Sequence, residues 1–269
     1  MAAFTFTNNV VIITGATAGI GKALALSLAR QGARLALAAR NVERLQEVAN
    51  ECELLGGKAV PVPTDVSDPE QSVTLIDKTV AEYHRIDTLI VNAGISMWAR
   101  FDEIRDLSLV RTIMDVNYFG SVYPTFYALP YLKESKGRLV AISSLTGKNG
   151  APTRSAYSAS KHAQAGFFDS LRIELKRDQV SVTVIYPGFV ATEVRKRAFG
   201  ANGQPLQQSH IDESRIMSAD VCAEKILKAA AKRRRQVVMT GKAKMGQWVK
   251  LISPDLVDRL AEKMIESGK

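Results

Sequence analysis

The sequence predicts an α/β fold in which helices cover both faces of a parallel β-sheet. Two observations carry this prediction: short β-branched runs alternate with longer helical patterns, and a glycine-rich turn joins the first run to the first helix. Strands that alternate with helices pair in parallel, because each helix returns the chain across a face of the sheet. The chain has 269 residues and no visible repeat or linker, so we expect one domain over residues 1–269.

Four strands and three helices are predicted in the first part of the chain. The third helix has the clearest beginning, because Asp68 is a favourable N-cap and Pro69 suits the first helical position. In chain order the predicted elements are strand 10–13, helix 22–30, strand 35–38, helix 42–55, strand 59–62, the helix opened by Asp68 and Pro69, and strand 88–91.

The remaining strands and helices continue the alternation until about residue 192. They are predicted as a long helix 107–134, strand 138–142, a long helix 155–177, strand 182–185, helix 219–233 and strand 237–239. Residues 192–218 are polar and weakly patterned, and a loop of this length in a compact domain is usually functional, most often a substrate lid. The C-terminal extension, about 242–269, predicts two short amphipathic helices.

Composition and charge narrow the classes of protein. Hydrophobic residues make up 46% and charged residues 23%, as in ordinary globular proteins, and no apolar run approaches the ~18–20 residues that span a bilayer. The N-terminus has no basic-then-apolar signal, and Cys52 and Cys222 lie far apart with no disulfide or metal-ligand spacing. We therefore expect a cytoplasmic protein that needs no metal.

A net charge of +9 is compatible with nucleic acid, an anionic membrane or an anionic cofactor. The basic runs 195–197 and 232–235 contribute to it, and the second suits the C-terminus of a helix. No aromatic interleaving or recognition-helix motif accompanies them, so we expect no nucleic-acid partner.

A glycine-rich loop follows the first predicted strand, with glycines at 15, 19 and 21 between Thr14 and Gly21. Such glycines let the backbone turn tightly and approach a pyrophosphate, which the N–H groups of the following helix then bind. The G-x3-G-x-G spacing differs from the general dinucleotide fingerprint. The residues predicted to contact the cofactor here are Gly15, Thr17, Ala18, Gly19, Ile20 and Gly21.

Three further motifs stand in order behind this loop: Asn92-Ala93-Gly94, Tyr157-Ser158-Ala159-Ser160-Lys161 and Tyr186-Pro187-Gly188. With the glycine loop, they resemble the short-chain dehydrogenase/reductase family over about residues 8–240. The resemblance implies a single-domain Rossmann-type, doubly wound fold with a seven-stranded parallel sheet. It also implies an NAD(H)- or NADP(H)-dependent alcohol/carbonyl oxidoreductase that forms a homodimer or homotetramer through its two long helices.

The end of the second strand predicts which cofactor is used. An acidic residue there would bind the ribose 2′-hydroxyl of NAD, but this chain has Ala39, Arg40 and Asn41. A guanidinium suits a 2′-phosphate, so we expect NADP(H), although Arg40 could instead cap or decorate the next helix. By resemblance Asp65 holds the adenine amino group, although Asp is also common in turns. The other implied cofactor contacts are Val66, Asn92, Ala93, Gly94, Tyr157, Lys161, Pro187, Gly188, Val190 and Thr192.

Tyr157 and Lys161 are four residues apart on a predicted helix and so share one face. A phenol with a pKa near ~10 exchanges protons poorly at neutral pH, and a nearby ammonium lowers that pKa. The pair therefore suits acid–base catalysis, although a plain surface contact has the same spacing. By resemblance Ser144, rather than Ser143, holds the substrate oxygen, and Asn117 helps to place the lysine.

Substrate class is less constrained. The runs 154–163 and 167–172 resemble the hydroxysteroid-dehydrogenase-like branch, with its member-7-type reductases. Six residues could line a lipophilic cleft or belong to the core: Ile95, Met97, Trp98, Tyr186, Phe189 and Val190. A steroid, retinoid, acyl or xenobiotic ketone all remain open, and the rival hypothesis is a catalytically quiet NADP-binding interaction protein.

The C-terminal extension carries more large apolar residues than a monomer leaves in water. They include Trp248, Leu251, Ile252, Leu256 and Leu260. Docking on the enzyme's own subunits near the lid is the first interpretation, and peripheral membrane contact is the second.

Overall fold

Seven parallel strands form the central sheet of the computed structural model, which describes residues 6–193, 197–207 and 216–266. Two further short strands, β7 and β8, lie outside this sheet. In chain order the strands are Val10–Thr14 (β1), Arg34–Ala39 (β2), Lys58–Pro63 (β3), Thr88–Val91 (β4), Arg138–Ile142 (β5), Ser181–Tyr186 (β6), Val190–Ala191 (β7), Met217–Ser218 (β8) and Gln236–Val238 (β9). The helices are Gly19–Ala29 (α1), Val42–Leu54 (α2), Pro69–Tyr83 (α3), Ser108–Met114 (α4), Gly120–Glu134 (α5), Ser155–Glu174 (α6), Ala219–Ala231 (α7), Gly241–Ile252 (α8) and Pro254–Glu266 (α9).

The sheet order is β3-β2-β1-β4-β5-β6-β9, and β7 pairs separately with β8. Strand β1 therefore has β2 on one side and β4 on the other, which makes their boundary the point where the strand order reverses. In open α/β sheets, ligands bind outside the carboxyl ends of the strands at such a point. The predicted doubly wound fold with a seven-stranded parallel sheet is confirmed.

Apart from the edge strands β3 and β9, which are only partly buried, the strands of the central sheet are apolar on both faces because the core lies on both sides of the sheet. Val11 and Ile13 of β1 pack with residues of α1, α2 and α7, whereas Ile12 packs with residues of α3, α5 and α6. A parallel strand covered by helices on two faces reads as a continuous apolar run, which explains why β1 shows no alternation.

One predicted element differs in a way that concerns the functional site. The sequence predicts a single helix over 107–134, but a π-helical turn, Asp115–Phe119, separates α4 from α5. A π turn inserts one residue into the helical repeat, so propensity alone does not reveal it. The N-cap Asp68 of α3 is confirmed, since its side chain accepts from the backbone N–H groups of Glu70 and Gln71.

The lid and the basic runs fall only partly within the described residues. Positions 194–196 and 208–215 lie outside them, including Arg195 and Lys196 of the first basic run. In the second run, Arg233 donates to three backbone carbonyls that precede β5 and β6, at the amino ends of these strands. Arg235 pairs with Asp169. These two arginines are thus engaged within the fold.

The C-terminal extension forms two helices, α8 and α9, as predicted. Across the described residues, none of the helices has both the length and the apolar character needed to cross a membrane.

Candidate active site

The loop after β1 leads into α1 and is shaped to receive an anion. The N-cap Ala18 is extended and offers no side-chain hydrogen bond, so protein side chains do not cap the first turn of α1. The N–H groups of a first helical turn have no partners within the helix and attract negative charge. Gly19 has φ +53°, and a Cβ on it would lie 2.9 Å from Cγ2 of Thr192. The residues present therefore fit the pyrophosphate of a dinucleotide.

Other predicted cofactor residues converge on the same loop. The side chain of Asn92 donates to the carbonyl oxygens of Thr14 and Gly15, which fixes the turn after β4 against the turn after β1. A Cβ on Gly21 would collide with the carbonyl oxygen of Gly15, so only glycine permits this packing of α1. A cavity of about 520 Å³ is lined by Thr17, Ala18 and Gly19 together with Thr192.

The ends of β2 and β3 bring Arg40 and Asp65 together. Their Nη1 and Oδ2 atoms are 3.9 Å apart, with the Arg40 side chain 71% exposed. Asn41 instead caps α2, because its side chain accepts from the N–H of Arg44. Val66 packs against Gly120 at the start of α5, where a side chain would leave it no room.

The catalytic candidates lie at the next strand termini along the sheet. Tyr157 and Lys161 are on α6, and Nζ of Lys161 is 6.0 Å from the centre of the Tyr157 ring. Ser144 follows β5, and a hydrogen bond joins its side chain to that of Tyr157. Ser143 donates instead to the carbonyl oxygen of Lys161 and is buried. The geometry favours Ser144 as the serine that faces the phenol.

Asn117 is held inside the π turn by three hydrogen bonds. Its Oδ1 accepts from the N–H of Ile95 at 2.8 Å, while its Nδ2 donates to the Ile95 carbonyl and to Oγ of Ser160, each at 2.9 Å. The side chain is fully buried. Asn117 thus ties the segment after β4 to α6 directly beneath the Tyr157–Lys161 face.

Burial shifts the titration of both α6 side chains. It raises the pKa of Tyr157 above 10.0, while the charge of Arg154 and the hydrogen bond to Ser144 act in the lowering direction. It lowers the pKa of Lys161 from 10.5 to about 7. The sequence suggested Lys161 as the cation acting on the phenol, but the positive charge that lowers the Tyr157 pKa here is Arg154.

The comparisons with known proteins agree with this geometry. A family model described as short chain dehydrogenase matches residues 9–202. The chain belongs to the short-chain dehydrogenase/reductase family.

Two relatives support the branch that the motifs predicted. The chain is 39% identical over 256 residues to 11-beta-hydroxysteroid dehydrogenase A of Arachis hypogaea, covering 93% of this chain and 73% of the relative. It is 32% identical over 269 residues to dehydrogenase/reductase SDR family protein 7-like of Dictyostelium discoideum, covering 98% and 84%. The resemblance to the hydroxysteroid-dehydrogenase-like branch is confirmed.

A solved structure extends the comparison to the fold. The alcohol dehydrogenase of the archaeon Thermococcus sibiricus, complexed with 5-hydroxy-NADP, superposes with a TM-score of 0.73 at 26% identity, over 86% of this chain and 95% of that one. Short-chain dehydrogenases use nicotinamide cofactors, and the glycine loop described above fits such a ligand. Among the described residues, no group of three or more His, Cys, Asp or Glu side chains could hold a metal ion.

Two functional candidates in this short-chain dehydrogenase site were not identified as such from the sequence. Arg154 is only 6% exposed, donates to Oγ of Ser96 and lies 4.4 Å from the Trp98 ring and 5.8 Å from the Tyr157 ring. Gln164 is fully buried and accepts a hydrogen bond from Lys161. The sequence offered one signal for them, their position: Arg154 stands three residues before Tyr157, and Gln164 three residues after Lys161.

The cleft candidates separate into two groups. Met97, Tyr186 and Val190 are buried and belong to hydrophobic clusters, so for them the core alternative holds. Trp98 and Phe189 are partly exposed and both flank the Arg154 guanidinium.

Proposed function

We propose that the protein is an NADP(H)-dependent oxidoreductase that interconverts a secondary alcohol and a ketone, or an aldehyde and its alcohol, on a lipophilic substrate. The observation that carries the proposal is the convergence of four side chains from separate elements: Tyr157, Lys161, Ser144 and Asn117. Their contacts form one continuous site at the carboxyl ends of β4 and β5.

The residues that would hold the cofactor follow the strand order. The glycine loop would bind the pyrophosphate, Arg40 the 2′-phosphate, and the segments after β4 and β6 the nicotinamide half. Arg40 supports NADP(H) because its exposed guanidinium is preceded by Ala39, which offers no carboxylate to bind a ribose hydroxyl. The nicotinamide, when bound, supplies or accepts the hydride.

Tyr157 exchanges the proton at the substrate oxygen. In the direction of reduction it donates, and burial favours this role because a raised pKa keeps the phenol protonated at neutral pH. Ser144 donates a hydrogen bond to the same oxygen, where negative charge develops. In the direction of oxidation Tyr157 must lose its proton, and the positive charge of Arg154 favours the phenolate.

The assembly follows from the family, whose enzymes act on small molecules and usually form oligomers. An aromatic stripe recurs at helical spacing from Phe119, the last residue of the π turn, to Tyr123 and Phe126 of α5, and Phe126 is 69% exposed. We assign this stripe, with Ile173 of α6, to a homodimer or homotetramer contact. The cytoplasm is the compartment we assign, because Cys52 and Cys222 are both free, as suits a reducing environment.

Lipophilic substrates are supported by the partly exposed rings of Trp98 and Phe189, which flank the same Arg154 guanidinium that lies over the Tyr157 ring. A panel of steroid, retinoid, acyl and xenobiotic ketones, with matched aldehydes and alcohols, tests the proposal by absorbance of the reduced nicotinamide at 340 nm. We expect turnover with NADPH or NADP+ that exceeds turnover with NADH or NAD+. Tight NADPH binding without turnover of any compound would favour the catalytically quiet alternative.

A further inference from the structure

Gln164 connects the catalytic lysine to the π turn. It lies on α6, three residues after Lys161, and its side chain is fully buried. Its Oε1 accepts a hydrogen bond from Nζ of Lys161 at 3.3 Å. Its Nε2 donates to Oγ of Ser121 at 2.7 Å and approaches the backbone carbonyl oxygen of Asn117 at 3.4 Å. One amide therefore spans the interior between α6 and the start of α5.

The orientation of this amide is fixed by its neighbours. If its oxygen and nitrogen were exchanged, an N–H group would face the ammonium of Lys161 and an oxygen would face the carbonyl of Asn117. Both contacts would become repulsive. The hydroxyl of Ser121 donates to the Asn117 carbonyl at 2.7 Å, so its lone pair is available to accept from Nε2. Only the arrangement described satisfies all four groups.

The Lys161 ammonium is surrounded by neutral acceptors. Its other hydrogen bond goes to the backbone carbonyl of Ile142 at 2.9 Å, and its side chain is 3% exposed. Within the described part of the chain, the ionisable neighbours are Tyr157, whose ring faces Lys161, and Arg154, which lies over that ring; both come from α6 and its N-cap. From the elements packed against α6 come the polar groups of Ser144, Asn117 and Ser121.

We infer that Gln164 is a positioning residue for catalysis, which holds Lys161 in place and keeps it charged by accepting from its ammonium while being anchored itself on Ser121 and Asn117. The inference deepens the proposed function, because the charge of Lys161 matters only if Tyr157 and Lys161 act as a pair. A hydrogen bond to the charged form of a group favours that form. Burial lowers the pKa of Lys161, and hydrogen bonds to the ammonium oppose that lowering. Without the Gln164 amide oxygen, the Ile142 carbonyl would be the remaining acceptor of the two described here.

The test is the titration of Lys161 followed by NMR in protein labelled with 15N at lysine Nζ, with the signal assigned by its loss in Lys161→Arg. Wild type is expected to titrate near pH 7, as burial dictates. Gln164→Met keeps the length and removes the acceptor, so the Lys161 pKa should fall by roughly one unit. Gln164→Glu places a carboxylate at the same distance, so the Lys161 pKa should rise by at least about one unit.

Thr125→Val is the matched control. The Thr125 hydroxyl donates to the Ser121 backbone carbonyl at 2.7 Å, and Thr125 is about as buried as Gln164. Thr125 lies on α5, the same helix as Ser121, and this hydrogen bond involves neither Lys161 nor Gln164. This variant should lose some thermal stability and leave the Lys161 pKa unchanged. If Gln164→Met fails to fold, Ser121→Ala removes the anchor of the amide while keeping Gln164, and it should lower the Lys161 pKa by a smaller amount.

Turnover provides the second arm. With a substrate in hand, kcat of Gln164→Met should fall about tenfold or more, since a hydrogen bond to a charged group is lost, while Thr125→Val keeps its kcat. A Lys161 pKa that is the same in wild type, Gln164→Met and Gln164→Glu would overturn the inference. Because the titration needs neither cofactor nor substrate, opposite shifts in a chain that turns over no compound would overturn the proposed function while still showing that Gln164 sets the charge of Lys161.

Discussion

The nucleotide crevice and the C-terminal extension differ in how their side chains are partnered. In the crevice, residues far apart in sequence are held by direct hydrogen bonds, as Asn92 is to Thr14 and Asn117 is to Ser160. In the extension, Trp248 is 73% and Ile252 is 88% exposed. Its attachments include one hydrogen bond, from Lys250 to the Lys148 carbonyl, and the packing of Ala243 against the core.

A site motif and an amphipathic pattern constrain the folded chain to different degrees. A motif whose residues must meet at the ends of parallel strands fixes its own partners once the topology is known. An amphipathic helix specifies only that one face avoids water, and whatever covers that face can come from another molecule. We therefore expect substitutions in the crevice to have large, specific effects and changes in the extension to have small effects on a soluble assay.

Tyr157→Phe should show the largest effect. It keeps the ring and removes the proton, so kcat should fall by ~10²–10⁴-fold. NADPH affinity, measured by quenching of intrinsic fluorescence, should stay near the wild-type value because the variant retains every cofactor contact except the phenol. Full turnover in this variant would show that the Tyr157 hydroxyl does not exchange the proton at the substrate oxygen.

The double variant Ala39→Asp/Arg40→Ala should have the next largest effect, on the choice of cofactor. A charge-assisted contact to the 2′-phosphate contributes roughly 1.5–3 kcal/mol, or about 10–150-fold in affinity. We expect the ratio of the NADPH and NADH dissociation constants to move toward NADH by that factor. If wild type already binds NADH more tightly in direct titration, the interpretation of Arg40 is wrong.

Arg154→Gln should change the pH dependence of alcohol oxidation. Arg154 lowers the pKa of Tyr157, so its removal raises that pKa further. Since oxidation requires the phenolate, the acidic limb of the kcat profile with NADP+ should move to higher pH. Arg154→Lys retains the charge and should keep the limb near its original position. If the acidic limb did not move in Arg154→Gln, the role of Arg154 would be structural, through its contacts with Trp98 and Ser96.

Deletion of residues 244–269 should have the smallest effect on catalysis. If the extension docks on the enzyme's own subunits, sedimentation velocity should reveal a changed subunit count and turnover of bulky ketones should decline, with NADPH affinity preserved. Peripheral membrane contact predicts instead near-normal activity with loss of sedimentation on anionic liposomes. A truncated chain that matched the full chain in both assays would mean that the exposed apolar face has neither function.

The sequence was sufficient to predict every strand of the central sheet because each contains a short apolar run bounded by polar or turn residues, even in the partly buried edge strands β3 and β9. It also predicted that Tyr157 and Lys161 share one helix face and, by resemblance, that Ser144 lies beside them, and the fold brings these three side chains together. It did not predict the π turn at Asn117, since a single extra residue leaves the apolar pattern nearly intact. Arg154 and Gln164 were missed as functional residues because their importance lies in contacts with Trp98 and Ser121, which only the folded chain reveals.

The π turn also makes the site sensitive to chain length. Removing one residue from 115–119 would let α4 run into α5 in α-helical register, and the side chains on either side of the deletion would turn by about 100° relative to each other. Such a deletion would restore standard backbone hydrogen bonding while carrying Asn117 or its partners out of reach. The shortened chain would lose the Asn117 contacts on which the proposed site depends, so one residue added to a helix decides whether Asn117 reaches Ser160.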